Sequence, residues 1–426
     1  MFMTPWLQAA AQDAQLMDDF QALCGFGGRL SGSGQDAAAM DWAVRRMQSV
    51  GSSVQRFEVP YDGWQCLQAS LEHIDGQGLA RPLPCKPLLR SASTGPDGLV
   101  APVLDLGQGR ADDFARAGDQ VRGKLVLVRH EYPFTPHHVH RRRKYDMAVQ
   151  AGAAGFLIAN PWPGGGLLSG SSGRPRDGHG IPAAYIDEAG ARLLAGAGGQ
   201  ARLRIRGEEM PDARAGVAVL DIPGGREARI VVSAHLDGHD LGCSALDNAT
   251  GVAVALAAAR ALAPHVSAHT PGLRVCLFCA EEWALAGSAR YLADLPADER
   301  ARLKLNINLD TVAGDDTLTA LISDFPALAA YVAQASQAAG VAVASWLPLM
   351  PNSDHANFAR HGIPALRLVA GFDRPDSRVN RILTAEDTPD IIREPELRRA
   401  LAVTCALGSV ALGLDDARLD ALALRG

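Results

Sequence analysis

The chain has 426 residues, of which 47% are apolar, and it carries a formal net charge of −6. This length and composition predict two to three folded domains with a large core and argue against a disordered chain. The modest charge, together with the lack of a Lys/Arg-rich stripe or a run of roughly 18 apolar residues, argues against nucleic-acid and membrane partners.

The first half of the chain divides into two stretches of different character. Residues 15–60 predict a helix at 17–23, a Gly-rich turn at 25–34, a second helix at 35–50 and a strand at 54–60. Residues 66–213 predict strands at 123–129 and 155–159, a helix at 145–154 and a Gly/Ser/Pro-rich loop at 161–180. This second stretch indicates an inserted domain. Residues 1–65 and 214–426 would then form one discontinuous domain.

From residue 214 onward, strand and helix patterns alternate. The predicted strands lie at 228–234, 273–279, 303–309 and 365–369, and the predicted helices at 248–262, 327–338 and 394–412. Such alternation is typical of an α/β fold with a mostly parallel central sheet flanked by helices.

Acidic residues and a histidine follow three of these strands. His235 and Asp237 come after the first strand, Glu281 and Glu282 after the second, and Asp310 after the third, while Asp247 lies at the turn into the next helix. The carboxyl ends of parallel strands share one edge of the sheet, so we expect these side chains to lie together. So many carboxylates would repel each other unless a cation neutralised them, which favours a metal site.

The mixture of imidazole and carboxylate donors suits zinc, and a shared carboxylate suits two zinc ions about 3.5–4 Å apart. We predict that the metal ligands are His235, Asp247, Glu282 and Asp310. Glu281 is the predicted general base, because neighbouring residues that leave a strand point in different directions. Asp237 is expected to accept the imidazole N–H of His235 and to fix its tautomer.

The stretches that carry these residues resemble the co-catalytic zinc aminopeptidases and glutamate carboxypeptidases, metallopeptidase family twenty-eight. The matching stretches are 234–242, 245–251, 279–288, 308–310, 353–358 and 362–364. Residues 123–128, 151–156 and 181–182 are similar to the protease-associated domain that many members carry as an insertion. The resemblance implies a zinc exopeptidase fold. It also implies that His235 and Asp310 hold one zinc, that Glu282 holds the other and that Asp247 bridges them.

Two positions depart from the family pattern. The family's last metal ligand is a histidine in a motif like H-T-x-x-D-T, and Leu383 stands in its place here. His355 is the predicted substitute ligand; without a substitute, the site would hold a single zinc ion. Several members also place an oxyanion-stabilising tyrosine shortly before the position of Ser353, and this sequence has none there. Trp346, Asn352 or a main-chain donor could serve instead.

Other polar residues are candidates for contact with the substrate. His239, Ser353 and Asn352 are predicted to line the substrate pocket. The basic run at 137–144 is interpreted as a solvated loop and helix start, with the alternative that it holds a substrate carboxylate.

These observations predict a zinc metallopeptidase that hydrolyses small peptides or N-acyl amino acids by metal-hydroxide attack, with aminopeptidase activity as the leading version. One alternative is an amidohydrolase or carboxypeptidase for a small N-acyl amino acid. The other is a non-catalytic binding protein that has lost a metal ligand, which Leu383 favours. The seven cysteines lack a framework spacing, and residues 1–20 lack a signal pattern, so we expect a cytoplasmic protein. The exposed faces could support a homodimer.

Overall fold

A computed structural model describes residues 5–196 and 199–424. The first of its two compact units comprises Met1–Tyr61, Arg214–Ile382 and Asp387–Gly426, and the second comprises Asp62–Ala213 and Leu383–Glu386. The division falls after residue 61 rather than after residue 65, because the first strand of the second unit already begins at Gly63. The sequence placed Leu383–Glu386 in the catalytic domain. The structure instead groups this segment with the second unit, where the Ser169 N–H donates to the Leu383 carbonyl at 2.9 Å.

The elements follow one another along the chain without long gaps. The first unit begins with α1 (Pro5–Ala11), α2 (Leu16–Gly25), α3 (Gln35–Gln48) and β1 (Val54–Pro60). The second unit contains β2 (Gly63–Ile74), β3 (Ala80–Leu83), β4 (Cys85–Pro87), β5 (Leu99–Asp105), α4 (Ala111–Ala117), β6 (Leu125–Arg129), α5 (Arg141–Gln150), β7 (Gly155–Ala159), β8 (Ala183–Ile186), α6 (Glu188–Gly196) and β9 (Gln200–Met210). The first unit resumes with β10 (Arg214–Ile222), β11 (Arg229–His235), α7 (Thr250–Leu262), β12 (Gly272–Phe278), α8 (Ala286–Asp294), α9 (Ala297–Arg302), β13 (Leu303–Leu309), β14 (Leu318–Leu321), α10 (Leu328–Ala339), β15 (Val343–Trp346), α11 (His355–Arg360), β16 (Ala365–Ala370), α12 (Glu394–Leu412) and α13 (Asp416–Ala421). Short 3-10 turns occur at Gly118–Val121, Ala263–His265, Arg378–Arg381 and Pro389–Ile391, and an irregular helical turn, Ala245–Ala249, precedes α7.

The first unit is built on a sheet in the order β1-β10-β12-β11-β13-β16-β14-β15. Its four central strands, β12, β11, β13 and β16, pair in parallel as predicted. The pairings β1–β10, β10–β12 and β14–β16 are antiparallel, so the sheet is mixed toward its edges. The central strands are almost entirely buried, as expected when helices cover a parallel sheet.

Helix α7 is a core helix of the first unit. Every residue from Thr250 to Ala259 is buried, and the helix packs on β11, β12, β13 and α12. The helical stretch Ala245–His265 is long and apolar enough to cross a membrane, but 89% of its apolar window is buried inside the structure. This burial is what a core helix of a folded unit requires.

The second unit is built on a sheet in the order β3-β2-β9-β5-β6-β7-β8-β4. Strands β5, β6, β7 and β8 pair in parallel, and the long strands β2 and β9 pair antiparallel. The predicted loop at 161–180 contains no helix or strand.

The basic run at 137–144 is not a solvated segment, which corrects the prediction. Helix α5 begins at Arg141, four residues before the predicted start at 145, after the His140 side chain accepts the N–H of Arg142 at 3.2 Å. Lys144 is fully buried, because its ammonium donates to the Arg129 carbonyl and pairs with Glu131, both at 2.7 Å. These partners compensate the buried charge, so the run has a structural use.

Candidate metal centre

Three strand ends of the first unit bring the predicted residues to one edge of the sheet. His235 is the last residue of β11 and is level with Phe278, the last residue of β12. One turn later, Ala280 adopts a positive φ of 60°, and Glu281 and Glu282 follow it. Asp310 directly follows β13. The parallel register therefore explains why residues far apart in sequence meet here.

The acidic and imidazole side chains form overlapping groups of potential ligands. His235, Asp247 and Asp310 form one group, His239, Asp247 and Glu282 a second, and His235, Glu281 and Glu282 a third; within each group the ligand atoms lie within 4.8 Å of one another. His235 Nε2 lies 3.0 Å from Asp247 Oδ1 and 3.6 Å from Asp310 Oδ1. His239 Nε2 lies 2.6 Å from Glu282 Oε1 and 3.6 Å from Asp247 Oδ2. Asp247 thus offers a different oxygen to each of the first two groups.

Burial and mutual charge strongly perturb these side chains, none of which is more than 7% exposed. Burial alone would lower the pKa of His235, but the carboxylates of Glu281 and Asp310 outweigh it and hold that pKa well above its ordinary value. Burial also opposes protonation of His239, yet Glu282 and Asp247 raise its pKa to about 10. Burial raises the pKa of Glu281 well above its usual range. The cluster therefore attracts positive charge strongly.

Asp237 organises the turn that carries the two glutamates. Its carboxylate accepts the N–H of Glu281 at 3.2 Å, the N–H of Glu282 at 3.4 Å and the hydroxyl of Ser31 at 3.2 Å. His235 Nδ1 lies 3.0 Å from the main-chain oxygen of Asp237 and 3.6 Å from its carboxylate. The expectation for Asp237 needs correction in this respect: its main-chain carbonyl lies closest to the imidazole, and its carboxylate mainly positions Glu281 and Glu282.

Two further residues position the carboxylates of the cluster, and the sequence analysis did not find them. Arg367, in β16, is 1% exposed, and its guanidinium pairs with Asp310 Oδ2 at 3.0 Å. Asp387 accepts the N–H groups of Leu246 at 2.6 Å and of Asp247 at 3.3 Å. A charged residue inside the apolar strand 365–370 was the available indication of Arg367. Asp387 lies in the motif that was examined only for its missing histidine.

The donor set fits a metal ion. His235 Nε2, Glu282 Oε1 and both ring nitrogens of His239 are buried and have no hydrogen-bond partner within the described residues. Buried polar atoms are normally satisfied, so a group of them facing one another indicates a ligand. Imidazole nitrogens and carboxylate oxygens are the donors that zinc accepts in proteins.

Comparison with known proteins agrees with this geometry. The model described as Peptidase family M28 matches residues 218–408, and the model described as PA domain matches residues 97–194. The chain belongs to peptidase family M28. The expected family, the α/β fold and the protease-associated insertion are thereby confirmed.

Individual relatives support the same assignment. The chain is 30% identical over 156 residues to Leupeptin-inactivating enzyme 1 of Streptomyces exfoliatus, an alignment that covers 36% of each protein. It is 25% identical over 389 residues to Aminopeptidase YwaD of Bacillus subtilis, which covers 88% of this chain and 79% of that protein. The structure of BSAP, a zinc aminopeptidase from Bacillus subtilis, matches with a TM-score of 0.71 and 22% identity over 92% of this chain and 93% of that chain, which shows a shared fold. The chain spans only 36% to 55% of the length of the first three curated relatives.

The remaining predicted residues of the M28 domain lie in different surroundings. His355 begins α11 and belongs to none of the ligand groups found among residues 5–196 and 199–424. Burial and the neighbouring Arg367 cation lower the pKa of His355 to about 3. Leu383, in the place of the family's histidine, offers no ligand atom and is grouped with the second unit. The geometry therefore gives no support to His355 as the substitute ligand.

The predicted substrate contacts also separate. Ser353 is fully buried, and its hydroxyl accepts a hydrogen bond from Asn308 Nδ2 at 2.8 Å, so it supports the loop and presents no surface to a substrate. Neither side-chain amide atom of Asn352 has a hydrogen-bond partner in the described part of the chain. Its main-chain oxygen accepts from Arg367 Nη1 at 3.1 Å. Of the two neighbours, only Asn352 offers polar side-chain atoms that a substrate could use.

Proposed function

We propose that the M28 domain is a zinc-dependent aminopeptidase that acts on small peptides, with Glu281 as general base. The observation that carries this proposal is the buried Asp247 carboxylate, whose two oxygens face two separate sets of donors at the same sheet edge as Glu281. Two of the proteins that the chain resembles, YwaD and BSAP, are named aminopeptidases, which favours this activity.

His235, Asp247 and Asp310 would hold one zinc ion, and Asp247 and Glu282 would contribute to a second position. When bound, zinc supplies Lewis acidity that polarises a peptide carbonyl and makes the ionisation of a nearby water easier. Arg367 holds the Asp310 carboxylate, and Asp387 holds the backbone of Asp247, so both groups are positioned before any ligand enters.

Glu281 is the proton carrier in this proposal. Its carboxylate takes a proton from the attacking water and passes it to the amide nitrogen that leaves. A buried carboxylate with a raised pKa is a stronger base than an exposed one, which suits this task near neutral pH. Asp237 holds the Glu281 N–H, and so fixes the direction in which the glutamate leaves the strand.

Asn352 is the side chain that we propose for the oxyanion. Its amide could donate to the carbonyl oxygen as that oxygen gains charge, which is the role that a tyrosine has in several members of the family. A donor of this kind typically contributes about 10²–10³-fold to the rate.

The test is a panel of substrates with matched ends, assayed before and after chelation. The panel contains dipeptides with a free amine, the same dipeptides with an acetylated amine, and N-acyl amino acids. An aminopeptidase cleaves only the first set and loses this activity when the metal is removed. Cleavage of the blocked set instead would favour the carboxypeptidase or amidohydrolase alternative, and no cleavage by zinc-loaded protein would favour a binding protein.

A further inference from the structure

We propose that His239 is a metal ligand, and that it completes a second metal position together with Asp247 and Glu282. The inference rests on the proposed function only in that both require a metal at this sheet edge. His239 Nε2 lies 2.6 Å from Glu282 Oε1 and 3.6 Å from Asp247 Oδ2. The side chain is 1% exposed, and neither ring nitrogen has a hydrogen-bond partner within the described residues. An unsatisfied imidazole this deeply buried needs a ligand of its own.

The loop that carries His239 is held in place from three sides. The Arg29 guanidinium is fully buried and donates to the main-chain oxygens of Leu236, Cys243 and Ser244, each at 2.9 Å. The Ser244 hydroxyl accepts the N–H of His239 at 2.9 Å. These contacts fix both ends of the loop and its centre, so the imidazole is positioned before a metal arrives.

Gly28 shows how closely the neighbouring backbone approaches this loop. A Cβ atom at residue 28 would lie 1.8 Å from the main-chain oxygen of His239, far closer than any contact allows. Only glycine fits at this position. The local chain is therefore shaped around the His239 loop, which distinguishes this histidine from one that is buried by chance.

The two histidines give the cluster a matched pair of donor sets. On one side of Asp247 stand His235 and Asp310, and on the other stand His239 and Glu282. Each set has one imidazole, one carboxylate of its own and one oxygen of the shared Asp247. This is the composition expected of two ions about 3.5–4 Å apart. His239 thus provides the second imidazole that Leu383 cannot provide.

The alternative is that His239 only forms an ion pair with Glu282 and orients it. In that case the side chain would be a positioning residue, and its removal would leave the number of bound metal ions unchanged. His355 is the other buried histidine for which a ligand role was predicted, which makes it a suitable comparison.

The experiment is zinc binding by the full chain, measured without reference to turnover. The metal-free protein is titrated with Zn²⁺ in a calorimeter, and the zinc retained after dialysis is measured by mass spectrometry. We expect two zinc ions per chain for the wild type and for His355→Ala, and one for His239→Ala. The second affinity should fall by more than the roughly 10–100-fold that loss of a supporting residue costs.

Two controls separate ligand loss from misfolding. The metal-free His239→Ala protein should melt at the temperature of the metal-free wild type, and His239→Gln, which keeps a polar side chain, should lose the same zinc ion. Two zinc ions held by His239→Ala with unchanged affinity, or a single zinc ion in the wild type, would overturn the inference. Two zinc ions in a wild type that cleaves no peptide would instead overturn the proposed function and leave this inference standing.

Discussion

Each unit of the molecule buries a cluster of charged side chains, and the two clusters differ in how the charge is balanced. In the second unit, Lys144 contacts Glu131 and a main-chain carbonyl, and Arg141 donates to the Ser171 carbonyl at 2.7 Å and to the Tyr185 hydroxyl at 2.8 Å. In the first unit, the imidazoles and carboxylates around Asp247 leave several polar atoms without hydrogen bonds.

This difference shows which buried charges indicate a ligand. Burial of charge alone does not, because protein groups can satisfy it completely, as they do for Lys144. A cluster indicates a ligand when its donor atoms lie close together and remain unsatisfied. The first cluster meets this criterion, and variants in each unit should therefore have different consequences.

The largest expected effect is on turnover, through Glu281. Replacing Glu281 with Gln keeps the shape and removes the base, so kcat should fall by about 10²–10⁴-fold. Zinc content, measured in parallel, should not change. As a control, Glu394→Gln alters an exposed glutamate of α12 and should leave kcat as it is. A loss of zinc from the Glu281 variant would instead make this residue a ligand.

In the second unit, the largest effect should be on stability. Lys144→Met leaves the Glu131 carboxylate buried without its partner, which should cost about 3–5 kcal/mol in the free energy of unfolding. Urea denaturation measures this cost. The double variant Lys144→Met with Glu131→Gln should recover most of it. Full stability of the single variant would show that the ion pair is not needed, and the contrast between the clusters would fail.

A smaller effect is expected from Asp237. Asn at this position places an N–H₂ group where the carboxylate accepts three hydrogen bonds, so the Glu281–Glu282 turn should shift. We expect a loss of about 10–100-fold in kcat or in zinc affinity, as is usual for groups that support metal ligands. Kinetics and a zinc titration of the same preparation measure both quantities, and unchanged values in both would contradict the positioning role.

The smallest effect should come from Ser353, and its neighbour Asn352 provides the comparison. Ser353→Ala leaves the amide of Asn308 without its acceptor, which should cost about 1–3 kcal/mol of stability while KM stays the same. Asn352→Ala should instead lower kcat with little change in the melting temperature. The reverse pattern would return Ser353 to the substrate pocket.

The sequence predicted the centre of the site because the reasoning needed only strand ends. His235, Glu281, Glu282 and Asp310 each lie at or just after a buried strand, and the parallel register brings such positions together whatever the loops do. The strand at 303–309 and the helix at 394–412 were predicted to the residue, because both are apolar runs with clear ends.

The residues that were missed depend on contacts between distant parts of the chain. The direction of His239 is set by Arg29 and Gly28, some two hundred residues earlier, and no local pattern around 239 reveals this. Arg367 reaches Asp310 from a neighbouring strand, and Lys144 is buried because Glu131 lies beside it. Such pairings follow from the tertiary structure, and periodicity alone does not predict them.

The central claim is that the unsatisfied donors around Asp247 hold the metal on which peptide cleavage depends. The most direct test is to add zinc stepwise to metal-free protein while measuring the release of an amino acid from a dipeptide. We predict no turnover without zinc and a rise that levels off at two zinc ions per chain. Full turnover by the metal-free protein, or saturation with zinc without any cleavage, would contradict the account.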